Sequence, residues 1–369
     1  MTPLVRRPGE ASTGGASALE INGVSKRFGD FLALDQCSLS VKPAEVLALL
    51  GPSGCGKTSL LNVVAGFERP DQGSVAFDGV PIDQLAPNRR GVGMVFQNYA
   101  LFPHLTVAGN IGYGLRILKL PSGEMDARVA EVLRLMKLDR LAERYPYEIS
   151  GGQRQRVAVA RAMVTHPRIL LMDEAFSALD RNLREAMQLE LSLLLRGQGI
   201  TTILVTHDQK EAFTLADRIA VMDHGRILQV GGAEELYRRP GSRFVLDFLG
   251  ASNRFKIARL SAEGDSLHLE AEPGIACCMP KPPSGGYGDL LWLHVRPEDL
   301  RLSACATAVH RDAPATVDFV TFQGSVRRTV LRQGERQIIA DLPDDAPVPT
   351  IGAAVFLDFD PQRAFLLEE

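Results

Sequence analysis

The sequence predicts an α/β fold, in which a parallel sheet carries a phosphate-binding loop, followed by a smaller domain of short β-strands. Three observations predict it. Residues 46–50 (VLALL) form an apolar run with the length of a fully buried strand. Residues 51–58 (GPSGCGKT) fit the pattern G-x-x-x-x-G-K-[ST], and a helical stretch follows them. From about Arg254 the chain changes to short alternating strands separated by glycine turns.

The glycine-rich loop is the first candidate site. Its glycines allow the backbone to curl so that successive N–H groups face phosphate oxygens. Lys57 supplies a positive charge to the β- and γ-phosphates, and the Thr58 hydroxyl can bind Mg²⁺. A chance match is the alternative, and the strand before the loop and the helix after it argue against that. The residues expected to hold the nucleotide here are Gly51, Pro52, Ser53, Gly54, Cys55, Gly56, Lys57, Thr58 and Ser59.

Polar side chains follow three further strand-like runs. Asp173 and Glu174 end the run at residues 168–172, where an aspartate can reach Mg²⁺ and a glutamate can deprotonate water. His207 follows the run at residues 201–205, and Gln97 follows residues 92–96. Solvated acids at a strand end and an ordinary loop histidine are the alternatives. If all these runs belong to one parallel sheet, the side chains meet at one edge and contact the γ-phosphate, Mg²⁺ and the attacking water.

Ser150, Gly151, Gly152 and Gln153 form a second candidate for holding phosphate. The glycines permit close backbone approach, and residues 153–163 have helical character with an apolar stripe that includes Val157. The N-terminus of that helix is an anion site with a serine hydroxyl beside it. The alternative is a structural helix cap, since serine is common at that position.

Taken in their order along the chain, these motifs resemble those of the ATP-binding subunit of an ABC transporter, a P-loop NTPase. The resemblance covers residues 19–250. Residues 51–58 resemble the Walker A loop, Gln97 the Q-loop glutamine and residues 150–153 the signature sequence. Asp173 and Glu174 resemble the Walker B aspartate and the catalytic glutamate, residues 177–180 the D-loop, and His207 the switch histidine. Phe28 resembles the aromatic residue that stacks on adenine, although a turn-packing role fits it equally.

The resemblance implies an ATPase that uses ATP and Mg²⁺. It implies catalytic roles for Glu174, His207 and Gln97, and magnesium ligation by Thr58, Gln97 and Asp173. One chain contains one of each half-site, so the resemblance implies a homodimer, or a pair with a paralogue, in which the signature of one copy closes over the γ-phosphate bound by the other. Ala175, where many relatives carry proline, makes the aim of Glu174 less rigid.

Composition excludes several other classes. The 369 residues are 45% hydrophobic and 23% charged, with a net charge of −3. Nucleic-acid-binding proteins usually have a basic face, so this charge balance argues against nucleic acid as a partner. The five cysteines do not form a disulfide framework, and no run approaches the length of a membrane span. Cys55 lies beside Lys57 at a helix N-terminus, where the pKa of a thiol tends to fall, but a small residue that simply fits the loop is the favoured interpretation. Residues 1–18 resemble no signal peptide and predict a disordered tail.

Two further regions complete the organisation. A helical subdomain is expected at about residues 98–166, where Tyr99, Leu101 and Phe102 either contact a membrane partner or belong to the core. Residues 251–369 form the second domain, and residues 295–300 (VRPEDL) resemble the start of the small OB-like TOBE β-barrel that follows the cassette in many bacterial importers. For that barrel, a role in dimerisation alone is favoured over the binding of a ligand.

The resemblance also implies partners and a location. These are two transmembrane permease subunits and a solute-binding protein, with the chain peripheral at the cytoplasmic face of the bacterial inner membrane. Residues 90–106 (RGVGMVFQNYALFPHLT), together with the C-terminal barrel, look most like the spermidine/putrescine branch. Importers of iron(III), phosphonate, sulfate or sugar are the alternatives. A soluble ABC ATPase of translation or DNA repair is the alternative from a different class.

Overall fold

The computed structural model describes residues 17–174, 181–272, 274–281 and 291–368. By its contacts the chain divides into two compact units, Met1–Ala233 and Glu234–Glu369. The boundary predicted at residue 250 lies later than this one. The reason is that Tyr237 contacts a residue of the second unit: Arg296 Nη2 donates to the Tyr237 carbonyl at 3.1 Å, and the guanidinium lies 3.7 Å from the centre of the Tyr237 ring.

The first unit contains two sheets in its described part. The strands are β1 (Leu19–Phe28), β2 (Phe31–Val41), β3 (Val46–Leu50), β4 (Gln72–Phe77), β5 (Val80–Pro81), β6 (Val92–Val95), β7 (Ile169–Asp173), β8 (Thr201–Thr206), β9 (Arg218–Asp223) and β10 (Arg226–Gly231). The first sheet has the antiparallel order β2-β1-β4-β5, and the second has the order β10-β9-β3-β8-β7-β6. In the second sheet every pairing is parallel except that of β9 with β10.

Helices cover the second sheet of this unit. They are α1 (Lys57–Ala65), α2 (Val107–Ile117), α3 (Ser122–Leu135), α4 (Gly151–Met163), α5 (Arg181–Gln198) and α6 (Gln209–Leu215). Residues of β3 alternate between two core clusters: Leu47 and Leu49 belong to the cluster shared with the first sheet, and Val46 to the cluster shared with the helices. The sheet is therefore buried on both faces, which explains its continuous apolar runs.

The second unit consists, in its described part, of two antiparallel five-stranded sheets around one core. Its elements are α7 (Ala233–Arg238), α8 (Arg243–Phe248), β11 (Asn253–Glu263), β12 (Ser266–Ala271), β13 (Ile275–Pro280), β14 (Leu291–Val295), β15 (Arg301–Ser303), β16 (Ala315–Phe322), β17 (Val326–Gln333), β18 (Arg336–Pro343), β19 (Ala354–Asp358) and β20 (Phe365–Glu368). The orders are β13-β12-β11-β14-β20 and β15-β19-β16-β17-β18. Phe255, Leu293 and Leu331 are all fully buried in the shared core. This is the small β domain that the sequence predicts.

Two local expectations differ from the structure. Ser17 is buried, and its hydroxyl accepts a hydrogen bond from Arg168 Nε at 2.9 Å, so the folded unit begins before the predicted end of the tail at residue 18. The alternation predicted for the strands after Arg254 also fails at one of them, β16. A register shift between Val317 and Phe319 on β16 acts as a bulge, which leaves the Phe319 side chain 54% exposed.

Candidate active site

The glycine-rich loop that the sequence predicts to bind phosphate lies between β3 and α1. Gly56 has a φ of 104°, and a Cβ atom added there would lie 2.5 Å from the Ala33 carbonyl oxygen. A Cβ atom on Gly51 would lie 2.3 Å from the Met222 carbonyl oxygen. The loop can therefore take this path only with glycine at both positions, because each is closed in by backbone.

Lys57 is the first residue of α1 and is 5% exposed. Its Nζ donates to the carbonyl oxygens of Gly51 and Pro52, each at 2.8 Å. The first turn of α1 contains no acidic residue. An ammonium group, the free N–H groups of a helix N-terminus and the positive end of its dipole thus converge on one loop, which is an arrangement that binds anions such as phosphate.

Asp173 ends β7 beside this loop. Its Oδ1 accepts a hydrogen bond from Thr58 Oγ1 at 3.2 Å. Burial raises the pKa of the Asp173 carboxyl, and the charge of Glu174 adds to that effect, whereas the Thr58 hydrogen bond and the charge of Lys57 oppose it. A hydroxyl oxygen and a carboxylate oxygen therefore meet at the loop, and both are oxygen ligands of the kind that Mg²⁺ prefers.

Glu174 receives hydrogen bonds from two neighbouring strands. Gln97 Nε2, which follows β6, donates to Glu174 Oε2 at 2.9 Å, and His207 Nδ1, which follows β8, lies 3.2 Å from Oε1. The Glu174 backbone has a φ of 44°, and its N–H donates to the Val205 carbonyl at 3.0 Å. The strand order β8-β7-β6 explains why the side chains of His207, Glu174 and Gln97 lie together, because each follows the carboxyl end of one of three adjacent parallel strands.

The second candidate site is the N-terminus of α4. Ser150 caps the helix: its Oγ accepts from the Gln153 N–H at 3.3 Å, and the Gln153 side chain accepts from the Ser150 N–H at 2.9 Å. Gly151 and Gly152 follow as the first helical residues, so the glycine pair belongs to the helix itself. These contacts are local and form a capping box. Among the hydrogen bonds of the described residues, none joins Ser150 or Gln153 to Gln97, Glu174 or His207.

Phe28 ends β1 with its ring 44% exposed, and Lys26 Nζ lies 5.4 Å from the ring centre. An exposed aromatic face fits a stacking role. Tyr99, in contrast, is 5% exposed and belongs to the core of the helical subdomain, whereas Leu101 and Phe102 are partly buried. Ala175 and the D-loop at residues 177–180 lie outside the described residues.

For Cys55 the structure agrees with the small loop residue, and the alternative of a lowered thiol pKa is wrong. The side chain is 4% exposed, and burial raises the pKa of its thiol despite the charge of Lys57, whose Nζ lies 3.6 Å from Sγ. Desolvation penalises the thiolate more than the helix N-terminus and the ammonium group stabilise it. The cysteine is therefore a small buried residue of the loop rather than a reactive one.

Sequence reasoning missed one residue beside the site. Arg161 of α4 donates to the carbonyl oxygens of Tyr99 and Ala100, at 2.8 and 2.7 Å, in the segment that follows Gln97. The signal is present in the sequence as an arginine between Ala160 and Ala162, inside an otherwise apolar stretch of helix. A charged side chain in such a stretch needs polar partners, here two backbone carbonyls, and periodicity does not reveal them.

The fold and the site together define a class of protein. A family model for the ABC transporter matches residues 34–177, and a model for the TOBE domain matches residues 293–367. The chain belongs to the family of ABC transporter ATP-binding proteins that carry a TOBE domain, and this family hydrolyses ATP. In the described residues, no helix is long and apolar enough to cross a membrane.

Several curated relatives are spermidine/putrescine import ATP-binding proteins. The one from Roseobacter denitrificans is 43% identical, over 90% of this chain and 89% of its own length. That from Rubrobacter xylanophilus is 41% identical over 98% of this chain and 97% of its own length, and that from Mesorhizobium japonicum is 52% identical over 68% and 69%. A solved structure, the dimeric ATP-binding cassette MJ0796 in a post-hydrolysis state with ADP and phosphate, is 32% identical with a TM-score of 0.52. It covers 58% of this chain and 98% of its own.

Proposed function

We propose that this chain is the ATP-hydrolysing subunit of a bacterial importer and that the solute is a polyamine such as spermidine or putrescine. The hydrogen-bonded group of Gln97, Glu174 and His207 beside the Lys57 loop is the observation that carries the ATPase part. The solute is supported by the names of relatives that match this chain over most of its length. The relatives named above are spermidine/putrescine import ATP-binding proteins, and this favours a polyamine over iron(III), phosphonate, sulfate or a sugar.

In this proposal Glu174 is the general base that takes a proton from the attacking water. Gln97 and His207 each bond one of its carboxylate oxygens, which fixes the orientation of the carboxylate. A base that is held in place before the reaction does not need to reorient during it, and this lowers the barrier. Lys57 and the N–H groups of the loop stabilise the negative charge that the phosphate oxygens carry, and the exposed Phe28 ring stacks on adenine.

Mg²⁺ would be held by Thr58 Oγ1, by the Asp173 carboxylate and by the amide oxygen of Gln97. The Thr58 and Asp173 oxygens already lie 3.2 Å apart, so the residues present fit the ion. Among the described residues no cluster of three or more histidine, cysteine or acidic side chains forms a complete metal cage. This fits Mg²⁺, which proteins bind through one or two carboxylates together with water and substrate phosphates. When bound, the ion would neutralise charge on the β- and γ-phosphates.

A complete site needs two chains in this proposal. The N-terminus of α4, with Ser150, Gly151, Gly152 and Gln153, supplies an anion site that the Lys57 loop of the same chain does not use. A second copy of the chain would place it over the γ-phosphate. The dimeric state of the MJ0796 cassette with ADP and phosphate supports this arrangement. Closing and opening of the dimer would then couple hydrolysis to movement in the partner subunits.

The partners in this proposal are two transmembrane permease subunits and a solute-binding protein. The chain would be peripheral to the inner membrane, at its cytoplasmic face, where ATP is available. The relatives' description as import ATP-binding proteins supports an importer of several components. Isolation from membranes should recover two multi-span proteins with this chain. Recovery with ribosomes or DNA instead would support the soluble class of ABC ATPase.

The change Glu174→Gln tests the catalytic role. It removes the base but keeps the size and the hydrogen-bonding capacity of the side chain, so ATP should still bind while the turnover rate falls by about 10²–10⁴-fold. Steady-state phosphate release and nucleotide binding measure the two effects. Glu143→Gln, which changes an exposed acid of the same unit, is the control and should retain full turnover.

Two results would contradict the proposal. Full turnover in a folded Glu174→Gln protein would remove Glu174 from the mechanism.

Uptake by vesicles that contain the complete transporter identifies the solute: we expect ATP-dependent entry of labelled spermidine or putrescine. ATP-dependent entry of iron(III), phosphonate, sulfate or a sugar, with no entry of polyamine, would show that the assignment of solute is wrong and leave the ATPase assignment intact.

A further inference from the structure

We propose that Arg161 is a positioning residue that couples helix α4, and thereby the Ser150 half-site, to Gln97 and the catalytic carboxylate. This inference rests on the proposed function, since it assigns a role in ATP hydrolysis. Its basis is the pair of hydrogen bonds from one guanidinium to two consecutive carbonyl groups, those of Tyr99 and Ala100.

The segment that Arg161 holds has an unfavourable backbone conformation. Tyr99 has a φ of 61° and Ala100 a φ of 44°, both in the left-handed region that residues with a Cβ atom avoid. This conformation is unfavourable for residues with a Cβ atom, so the segment keeps it only where its surroundings impose it. The guanidinium of Arg161 imposes it, because the planar fork bonds both carbonyl oxygens at once, at 2.8 and 2.7 Å.

The surroundings of Arg161 indicate that this contact is its main task. Burial lowers the pKa of its guanidinium, and in the described part of the chain it forms no salt bridge with a carboxylate. Its other neighbour is the ring of Phe102, whose centre lies 5.4 Å from Cζ. A desolvated charge is costly unless hydrogen bonds compensate it. Here backbone carbonyls of the Gln97 segment provide that compensation.

Arg161 links two parts of the proposed site, the Gln97–Glu174 pair and the N-terminus of α4 at Ser150. Gln97 precedes Tyr99 by two positions, and its Nε2 donates to Glu174 Oε2 at 2.9 Å. On the other side, Arg161 belongs to the same helix as the N-cap Ser150, about 16 Å away along the helix axis. An α-helix moves as a rigid element over this distance. When α4 shifts as its N-terminus engages phosphate, Arg161 therefore carries the Gln97 segment with it and changes the support of Glu174.

The variant Arg161→Met tests the inference because it keeps the length of the side chain and removes both hydrogen bonds. We expect kcat for ATP hydrolysis to fall on the order of tenfold to a hundredfold, in line with the loss of charge-assisted hydrogen bonds. KM for ATP should stay within about twofold, since Arg161 does not contact the Lys57 loop. Arg161→Lys provides one donor position in place of a fork, so its kcat should lie between those of the wild type and Arg161→Met.

The control is Arg134→Met, which removes an exposed arginine of α3 whose guanidinium, among the described residues, donates within its own helix to the Ala130 carbonyl. It should leave kcat and KM unchanged. Gln97→Ala completes a double-mutant cycle with Arg161→Met. If Arg161 acts through Gln97, the double variant has a kcat within about twofold of the lower single variant, because both changes remove the same support of Glu174. If Arg161→Met does not fold, the same double-mutant cycle with Arg161→Lys and Gln97→Ala tests whether Arg161 acts through Gln97.

Two outcomes overturn the inference. One is a wild-type kcat in folded Arg161→Met, and the other is a double variant in which the two decreases simply multiply, as they do for independent sites. A general loss of stability would lower the unfolding temperature of Arg161→Met but would not produce non-additivity with Gln97→Ala. Failure of the proposed function looks different, since the wild type and Arg134→Met would then not hydrolyse ATP at all.

Discussion

One of the buried histidines of the second unit, His294, predicts a measurable loss of stability in acid. His294 lies on β14, is 2% exposed, and has Nδ1 at 3.3 Å from Ser252 Oγ. Burial lowers the pKa of its imidazole from 6.5 to about 4. The charges that face it are Asp247, which opposes this shift, and the arginines that add to it, which are Arg243, Arg254 and Arg296.

The sign follows from linkage. The folded state keeps His294 neutral down to a pH of about 4, whereas the unfolded chain protonates it below about 6.5. Between these values the unfolded state binds more protons, so the free energy of unfolding is highest above pH 6.5 and decreases as the pH falls towards 4. From about pH 7.5 to about pH 5, the difference in proton binding corresponds to a loss of about 2 kcal/mol.

The only tryptophan of the chain makes the assay specific, because Trp292 lies on the same strand as His294. Unfolding in urea, followed by the fluorescence of Trp292 at both pH values, reports on the second unit. His294→Asn should lose most of the pH dependence, whereas His268→Asn, which changes a half-exposed histidine of this unit, should keep it. Equal pH dependence in the wild type and His294→Asn would refute the reasoning.

Two further predictions concern the phosphate-binding loop. Gly56→Ala should lower the free energy of unfolding by about 2 kcal/mol or more and weaken ATP binding at least about tenfold, because its φ of 104° is unfavourable and its Cβ would meet the Ala33 carbonyl. Gly123→Ala, a helix position with open space around it, is the control for thermal unfolding and nucleotide titration, and an equally small effect of both changes would contradict the prediction. Cys55 should react with maleimide at least about tenfold more slowly than the exposed Cys278, because burial raises the pKa of its thiol. Peptide mapping by mass spectrometry measures both rates, and equal labelling would show that the loop opens readily.

Local sequence predicted several elements well. The run VLALL is β3, and the helical stretch predicted after the glycine-rich loop is α1. The helical character predicted for residues 153–163 corresponds to α4, which begins two residues earlier, at Gly151. These elements depend on apolar periodicity, glycine and proline, which act over a few residues.

Other features depend on which distant segments meet. Phe319 continues an alternating pattern in the sequence, but the bulge on β16 turns it outwards. The pKa of Cys55 depends on burial by the surrounding core, and local charge alone suggests the opposite shift. The partners of Arg161 lie on a segment about sixty positions earlier in the chain, as its hydrogen bonds to Tyr99 and Ala100 show. Periodicity contains no information about such pairs.

By itself, the sequence determined the phosphate-binding loop, the polar residues at the strand ends and the helix that begins at Ser150, because glycine geometry, apolar runs and capping are local. Only the tertiary structure decided that β6, β7 and β8 are neighbours, which brings Gln97 and His207 to opposite oxygens of the Glu174 carboxylate. Strand order follows from how the two cores are packed, since many orders would bury the same apolar runs. The chemical groups were therefore fixed locally, and their distances were fixed by the packing of the whole unit.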